Sequence, residues 1–250
     1  MEGKDMNKNS NAYQIIYSSV MVILVGAALA FVYMALKPQQ DENVANDKRM
    51  QILNAVNIAT DDNTVKEKYE KYIVQDLLVD TLGNIVDSAK NCAFDINMKS
   101  NVKLADNERK LPLFKCKLDD GSIKYVIPVY GAGLWGPIWG YISVDENGNS
   151  IYGTDFSHEG ETPGLGARIT DQSFRDEFKG KELFKNNKFM SVVVMKKGQK
   201  PTNEGDYVDA LTGATITSRG VSTMMENCLC HYDAFLKSLG GNKPQAPESK

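Results

Sequence analysis

The hydrophobic pattern changes its period several times along the chain. From Tyr13 to Leu36 no position is charged, and at ~1.5 Å per residue a helix of that length crosses the ~30 Å hydrocarbon core of a bilayer with some tilt. This run predicts a transmembrane helix over 13–36. A cleaved leader ending at Ala28-Leu29-Ala30 is disfavoured, because the apolar run continues past that point to Leu36. Farther on, Val44, Ile52, Leu53 and Val56 predict a helix within 43–59. Val65, Tyr69, Tyr72 and Ile73 predict another within 65–75, with Lys66, Glu67, Lys68, Glu70 and Lys71 as its solvated face. Together they make a juxtamembrane helical segment over 37–75.

The period then shortens. Residues 111–118 and 123–130 flank Asp119-Asp120-Gly121 and predict a hairpin, in which Pro128 marks an edge or a bulge. Residues 138–144 and 151–156 flank Glu146-Asn147-Gly148-Asn149 and predict a second. A short helix is expected over 172–178, a buried strand over 189–195 and a strand over 207–210. The helical period returns at Val221, Met224, Met225, Cys228, Leu229, Tyr232, Phe235, Leu236 and Leu239, with Thr217 or Ser218 as the expected N-cap. The fold class that results is α+β. A polar tail (1–12) and a membrane helix precede a domain over 76–240, built of antiparallel sheet with flanking helices; a Gly/Pro-containing tail (241–250) is expected to be disordered.

Composition changes this picture little. The 250 residues carry a net charge of −3, without the basic face that nucleic-acid binding requires. Cys92, Cys116, Cys228 and Cys230 form no zinc pattern and only two histidines are present, so no metal site is expected. Packing is the expected cysteine role, with a Cys92–Cys116 disulfide open outside the cytosol. Cys228 and Cys230, two apart on a helix, should face different ways. Lys4 and Lys8 precede the span while Lys37, Lys48 and Arg49 follow it, so flank charges do not set its orientation. The chain shows no nucleophile elbow, P-loop or dinucleotide fingerprint, and no catalytic residue is assigned.

Three stretches carry chemistry. Asp209-Ala210-Leu211-Thr212-Gly213-Ala214-Thr215 leads into Thr217, Ser218 and the last helix. Hydroxyls and small residues at a helix N-terminus, with its unpaired N–H groups and positive dipole end, suit a phosphate; on spacing alone an ordinary turn capped by Thr and Ser is the simpler reading. Gly131 to Gly140 interrupts the strands with glycines, Pro137, Leu134 and both tryptophans, Trp135 and Trp139, which on residue type alone belong in the core. His158-Glu159-Gly160-Glu161-Thr162-Pro163-Gly164-Leu165-Gly166 is a Gly/Pro-rich loop whose Glu161, Thr162 and Leu165 supply an acceptor, a donor and an apolar contact. His158 reads as a hydrogen-bonded loop residue.

Asp209-x-x-Thr-Gly-Ala-Thr215 resembles the flavinylation motif of the FMN-binding domain family. Glu161-Thr-Pro-Gly-Leu-Gly166 and Gly133-Leu-Trp-Gly-Pro-x-Trp-Gly140 resemble motifs that accompany it in the same order. The last of these is similar to the branch serving sodium-translocating NADH:quinone oxidoreductases; the branch in Rnf complexes typically lacks it. The resemblance implies FMN joined by its phosphate to the Thr215 hydroxyl by a flavin transferase, with Asp209 serving that enzyme. It further implies Leu134, Trp135, Glu161, Thr162, Gly164, Leu165 and Gly166 near the ring, and Thr212, Gly213, Ala214, Thr217 and Ser218 near the phosphate; Lys196 and Lys197, after the expected buried strand, read either as phosphate-neutralising or as a solvated surface pair. It implies a cytoplasmic N-terminus, a domain outside the inner membrane, an NADH-oxidising subunit upstream and quinone as final acceptor. An Rnf-type subunit and a flavin-free, membrane-anchored binding domain stay open at this level.

Overall fold

The computed structural model describes residues 10–106 and 108–240; most of the polar N-terminal tail and the tail from 241 onward lie outside the described residues. It divides into two units, Met1–Asp47 and Lys48–Lys250. The apolar run lies in α1 (Asn11–Ala55), which holds an 18-residue window of mean hydropathy 2.5, none of it buried. Such a helix is long and apolar enough to cross a membrane. The expected break between span and juxtamembrane helix is absent. Pro38 sits inside α1, where its ring removes one helical N–H bond without ending an otherwise helix-compatible stretch. The helix stops at Asn57, which takes the left-handed conformation (φ 60°), while Asn57 and Ile58 donate to the carbonyls of Asn54 and Leu53. That is a Schellman closure with Asn in the position glycine usually holds.

The second unit is built on an antiparallel sheet of order β2-β1-β3-β4-β5-β6. Its strands are β1 (Ile73–Val79), β2 (Ile85–Asp87), β3 (Leu111–Lys117), β4 (Ile123–Ala132), β5 (Pro137–Asp145) and β6 (Ile151–His158). Both expected hairpins are present. The helix expected over 65–75 is shorter: α2 (Val65–Tyr72) ends where Ile73 turns extended and pairs with Cys116. The β-branched pair Ile73-Val74 gains a sheet ladder there that a helix would not supply. Pro128 is not at a bulge; β4 is central in the sheet order, yet at Pro128 it is paired with β5 alone and is locally an edge. The β3–β4 ladder runs only from Lys117 opposite Ile123 to Phe114 opposite Val126, so Pro128 lies past its end and its missing N–H costs no bond.

Alternating side chains bury both sheet faces. Leu78, Phe114, Val126 and Tyr141 pack with Ile52, Ala55 and Val56 at the end of α1. Leu77, Leu113, Ile127 and Ile142 pack under α5 (Thr215–Leu229), α6 (Asp233–Leu239) and α4 (Gln172–Asp176); α3 (Met98–Asn101) is a short turn before β3. The strand expected over 189–195 is two strands, because Ser191 has φ 54°. β7 (Phe184–Lys185) and β8 (Lys188–Phe189) form a hairpin turned by Asn186 and Asn187, both at positive φ. β9 (Val193–Met195) pairs in parallel with β10 (Tyr207–Asp209). All four cysteines are free, and Cys228 is buried while Cys230 is exposed; the Cys92–Cys116 disulfide does not form.

One half-buried amine gives the domain a pH signature. Lys48 donates to the carbonyls of Phe94 and Ile96, and burial pushes its amine from the ordinary 10.5 down to about 8. Between those values the unfolded chain holds a proton that the folded one has lost, so stability increases as pH rises through the window. The urea midpoint is expected to climb from about pH 8 to about pH 10 in the wild type, and Lys48→Met is expected to remove that part of the climb.

Candidate functional site

β5 pairs Pro137 with Ala132 of β4 and Ile138 with His158 of β6, so the loops after β4 and β6 leave the sheet side by side. The Glu159 N–H donates to the Pro137 carbonyl at 3.1 Å, and a Cβ on Gly160 would lie 3.7 Å from the Trp135 carbonyl oxygen. The third stretch, 210–214, descends from β10 into α5. Gly220 of α5 lies so close to β4 that a Cβ there would stand 2.4 Å from the Ala132 carbonyl oxygen.

Glu161 joins all three. It is 4% exposed; its Oε1 accepts the Trp135 backbone N–H at 2.9 Å and its Oε2 the Thr217 hydroxyl at 2.6 Å. Two glycines make room for it, since a Cβ on Gly133 or Gly166 would stand 2.3 or 2.1 Å from a carboxylate oxygen. Where the sequence suggests a place beside a ring for Glu161, the structure engages both its oxygens inside the protein. His158 Nδ1 accepts the Glu161 N–H at 3.2 Å, the role expected of a loop histidine.

The start of α5 also differs from expectation. The helix begins at Thr215, with Ala214 at the N-cap and no side-chain cap. Thr217 and Ser218 lie inside the first turn, both buried. Thr217 bonds to Glu161, and Ser218 Oγ accepts the Leu211 N–H at 3.1 Å. Their hydroxyls turn inward, away from the solvent side of the turn. The Ser218 N–H bonds back to the Ala214 carbonyl, so the N–H groups of Thr215, Ile216 and Thr217 precede the helical ladder, as in any first turn. Thr215, Thr212 and Gly213 are exposed. Gly213 has φ 80°, and a Cβ there would press on Leu165 Cδ2 at 2.8 Å.

The stretches that Glu161 joins, and the first turn of α5, carry exposed apolar side chains. Trp135 is 67% exposed and Ile216 58%, with Leu134 and Leu165 about half exposed. Trp135 therefore does not plug the core, whereas Trp139 is half-buried and donates its Nε1–H to Gln51 at 3.1 Å. Thr162 is exposed, with its carbonyl accepting the N–H groups of Leu165 and Ala167 around Gly164, which has φ 75°. Asp209 ends β10 and its N–H donates to Glu177 Oε2. Lys196 is exposed just beyond β9, next to Met195, whose carbonyl accepts the Ala210 N–H. Ile216 escapes sequence reasoning; its signal is an apolar side chain off the stripe of Thr217, Val221, Met224 and Met225. An exposed hydroxyl at the positive end of a helix, with exposed leucines, an isoleucine and an indole on the same stretches, suits a phosphate monoester that carries a flat ring system.

The FMN-binding domain family matches residues 133–230, which hold all three loops. The NqrC-type relative from Vibrio anguillarum, a component of its Na(+)-translocating NADH-quinone reductase, is 32% identical, over 83% of this chain and 84% of that protein. The relative of the same name from Vibrio vulnificus (strain YJ016) is 30% identical, over 88% and 90%. The crystal structure of the corresponding protein from Parabacteroides distasonis ATCC 8503 is similar with a TM-score of 0.74 and 44% identity, over 80% of this chain and 96% of that one. Shewanella oneidensis NqrC is similar with a TM-score of 0.63 and 30% identity, over 78% and 98%. With identity at this level along most of both chains, and with the Thr215 corner inside the matched domain, this chain belongs to the NqrC family of Na(+)-translocating NADH-quinone reductase subunits.

Proposed function

We propose that this chain is a membrane-anchored flavin electron carrier whose FMN is held by a phosphodiester to the Thr215 Oγ. The observation that carries this reading is the placement of Thr215, solvent-exposed at the first residue of α5 and next to the exposed Ile216. The bound flavin would supply the redox chemistry; the protein supplies position and surroundings. Leu134, Trp135, Leu165 and Ile216 offer apolar surface to the ring, with Thr162 and Gly164 shaping the loop. Thr212, Gly213 and Ala214 let the phosphate approach the helix terminus, and Lys196 adds positive charge on that side. Glu161, Gly166, Thr217 and Ser218 hold the corner rigid, and Asp209 serves the attaching transferase.

In this reading α1 spans the inner membrane with its N-terminus in the cytoplasm and the domain outside. Electrons pass between partner subunits, from an NADH-oxidising subunit toward quinone. The sodium route belongs to those partners, because the 13–36 run offers no charged side chain at depth. The test is to express the chain with a flavin transferase, denature it, and look for flavin fluorescence on the band and the added mass on the Thr215 peptide. A colourless band of bare peptide mass overturns the proposal. Copurification with Rnf-type subunits would overturn the choice of complex.

A further inference from the structure

The stretch that leads to Thr215 is held by its main chain, one N–H after another. The Asp209 N–H donates to Glu177 Oε2 at 2.9 Å, the Ala210 N–H to the Met195 carbonyl at 2.6 Å and the Leu211 N–H to Ser218 Oγ at 3.1 Å. Three successive amides are taken by three separate parts of the domain. The acceptors from β9 and α5 follow from strand pairing and helix packing, but the first does not. β10 pairs with β9 alone, through the Asp206 carbonyl and the Ala210 N–H, which bond to Val193 and Met195. Alternate residues of a strand face opposite edges, so Asp209 faces the edge without a strand, where a side chain has to supply its acceptor.

Glu177 is placed to do so. It follows the last residue of α4 as the C-cap, and its neighbours fix that helix to β6. Phe174 and Phe178, both buried, pack on Phe156. Arg175 pairs with the buried Asp155, and the Arg175 carbonyl accepts the Thr154 hydroxyl at 3.3 Å. Glu177 itself is exposed. A carboxylate at a helix C-terminus gains nothing from the helix dipole, which favours cations there, so α4 does not account for this residue. Its bond to the start of the motif does.

We infer that Glu177 is a positioning residue for flavin attachment, which fixes the Asp209 main chain so that Asp209 and Thr215 meet the transferase in one relative geometry. This role presupposes the proposed attachment at Thr215. In that reaction the bond from Thr215 Oγ to phosphorus forms as the phosphoanhydride of a flavin dinucleotide breaks; a nucleoside monophosphate leaves and the hydroxyl proton is released. Glu177 touches none of these atoms. Without it Asp209 samples several orientations. A substrate that is competent only part of the time binds its enzyme more weakly by that fraction, yet reacts as fast once bound.

The test measures initial rates of attachment to the full chain in detergent, with purified flavin transferase and flavin adenine dinucleotide, as the chain concentration is varied. Glu177→Ala is expected to raise KM for the chain about three- to tenfold, the fold-change of one net hydrogen bond, with kcat and the urea midpoint unchanged. Before any flavin is added, the Asp209 amide of that variant should exchange faster by a similar factor. Glu177→Gln keeps an acceptor oxygen at the same reach and is expected to restore the wild-type KM. A wild-type KM in Glu177→Ala, or a lower urea midpoint that accounts for the lost attachment, would overturn the inference alone. So would a glutamine variant as impaired as the alanine one, which would make Glu177 a charge contact for the transferase. A wild-type chain that takes up no flavin would overturn the proposed function, and this role with it.

Discussion

Thr215→Ala is expected to abolish flavin fluorescence on the denatured band while leaving the fold as stable as the wild type. Thr215 is solvent-exposed at the first residue of α5, and surface substitutions of that kind stay within about 0.5 kcal/mol. Alanine also favours the helix. The substitution removes one exposed methyl and the hydroxyl that the proposed phosphoester requires, so the loss of flavin should be complete. Thr215→Ser keeps the hydroxyl and is expected to retain attachment, which separates the chemistry from side-chain shape. Fluorescence persisting in the alanine variant would move the attachment elsewhere, with the exposed Thr212 as the first residue to examine.

Glu161→Ala should act through stability. The carboxylate is buried and accepts from the Trp135 N–H and the Thr217 hydroxyl; removing it orphans both donors and opens a cavity between three stretches. Two buried donors orphaned at about 1–3 kcal/mol each cost about 2–6 kcal/mol together, read as a lower urea midpoint. Glu161→Gln fills the same space, keeping an acceptor for Trp135 and offering a donor to the Thr217 oxygen, so it should cost about 1–2 kcal/mol. Both variants should also lower flavin incorporation, since the loops that flank Thr215 lose their common tie. A Glu161→Ala protein as stable as the wild type would show that the clamp does not hold the corner together.

Gly133→Ala and Gly166→Ala should reproduce part of that loss. Each glycine leaves room for the Glu161 carboxylate that any Cβ would occupy, so an alanine at either position should displace the same side chain that Glu161→Ala deletes. The glycines of both loops are legible in the sequence as permissive residues. That two of them serve one carboxylate is not, because the glycines and the carboxylate meet only after the sheet has brought the loops side by side.

The residues by themselves determined what local period and local chemistry encode: the uncharged run of α1, the two hairpins around Asp119-Asp120-Gly121 and Asn147-Gly148, the apolar stripe of α5, and the motif that ends at Thr215. Each is set by side chains a few positions apart. Only the tertiary structure decided where α5 starts, which way Thr217 and Ser218 turn, and that Trp135 faces solvent. Those features depend on partners far away in the chain, such as Glu161 and Thr217, 56 positions apart. A buried carboxylate must find its donors wherever the fold places them, and no local pattern specifies that.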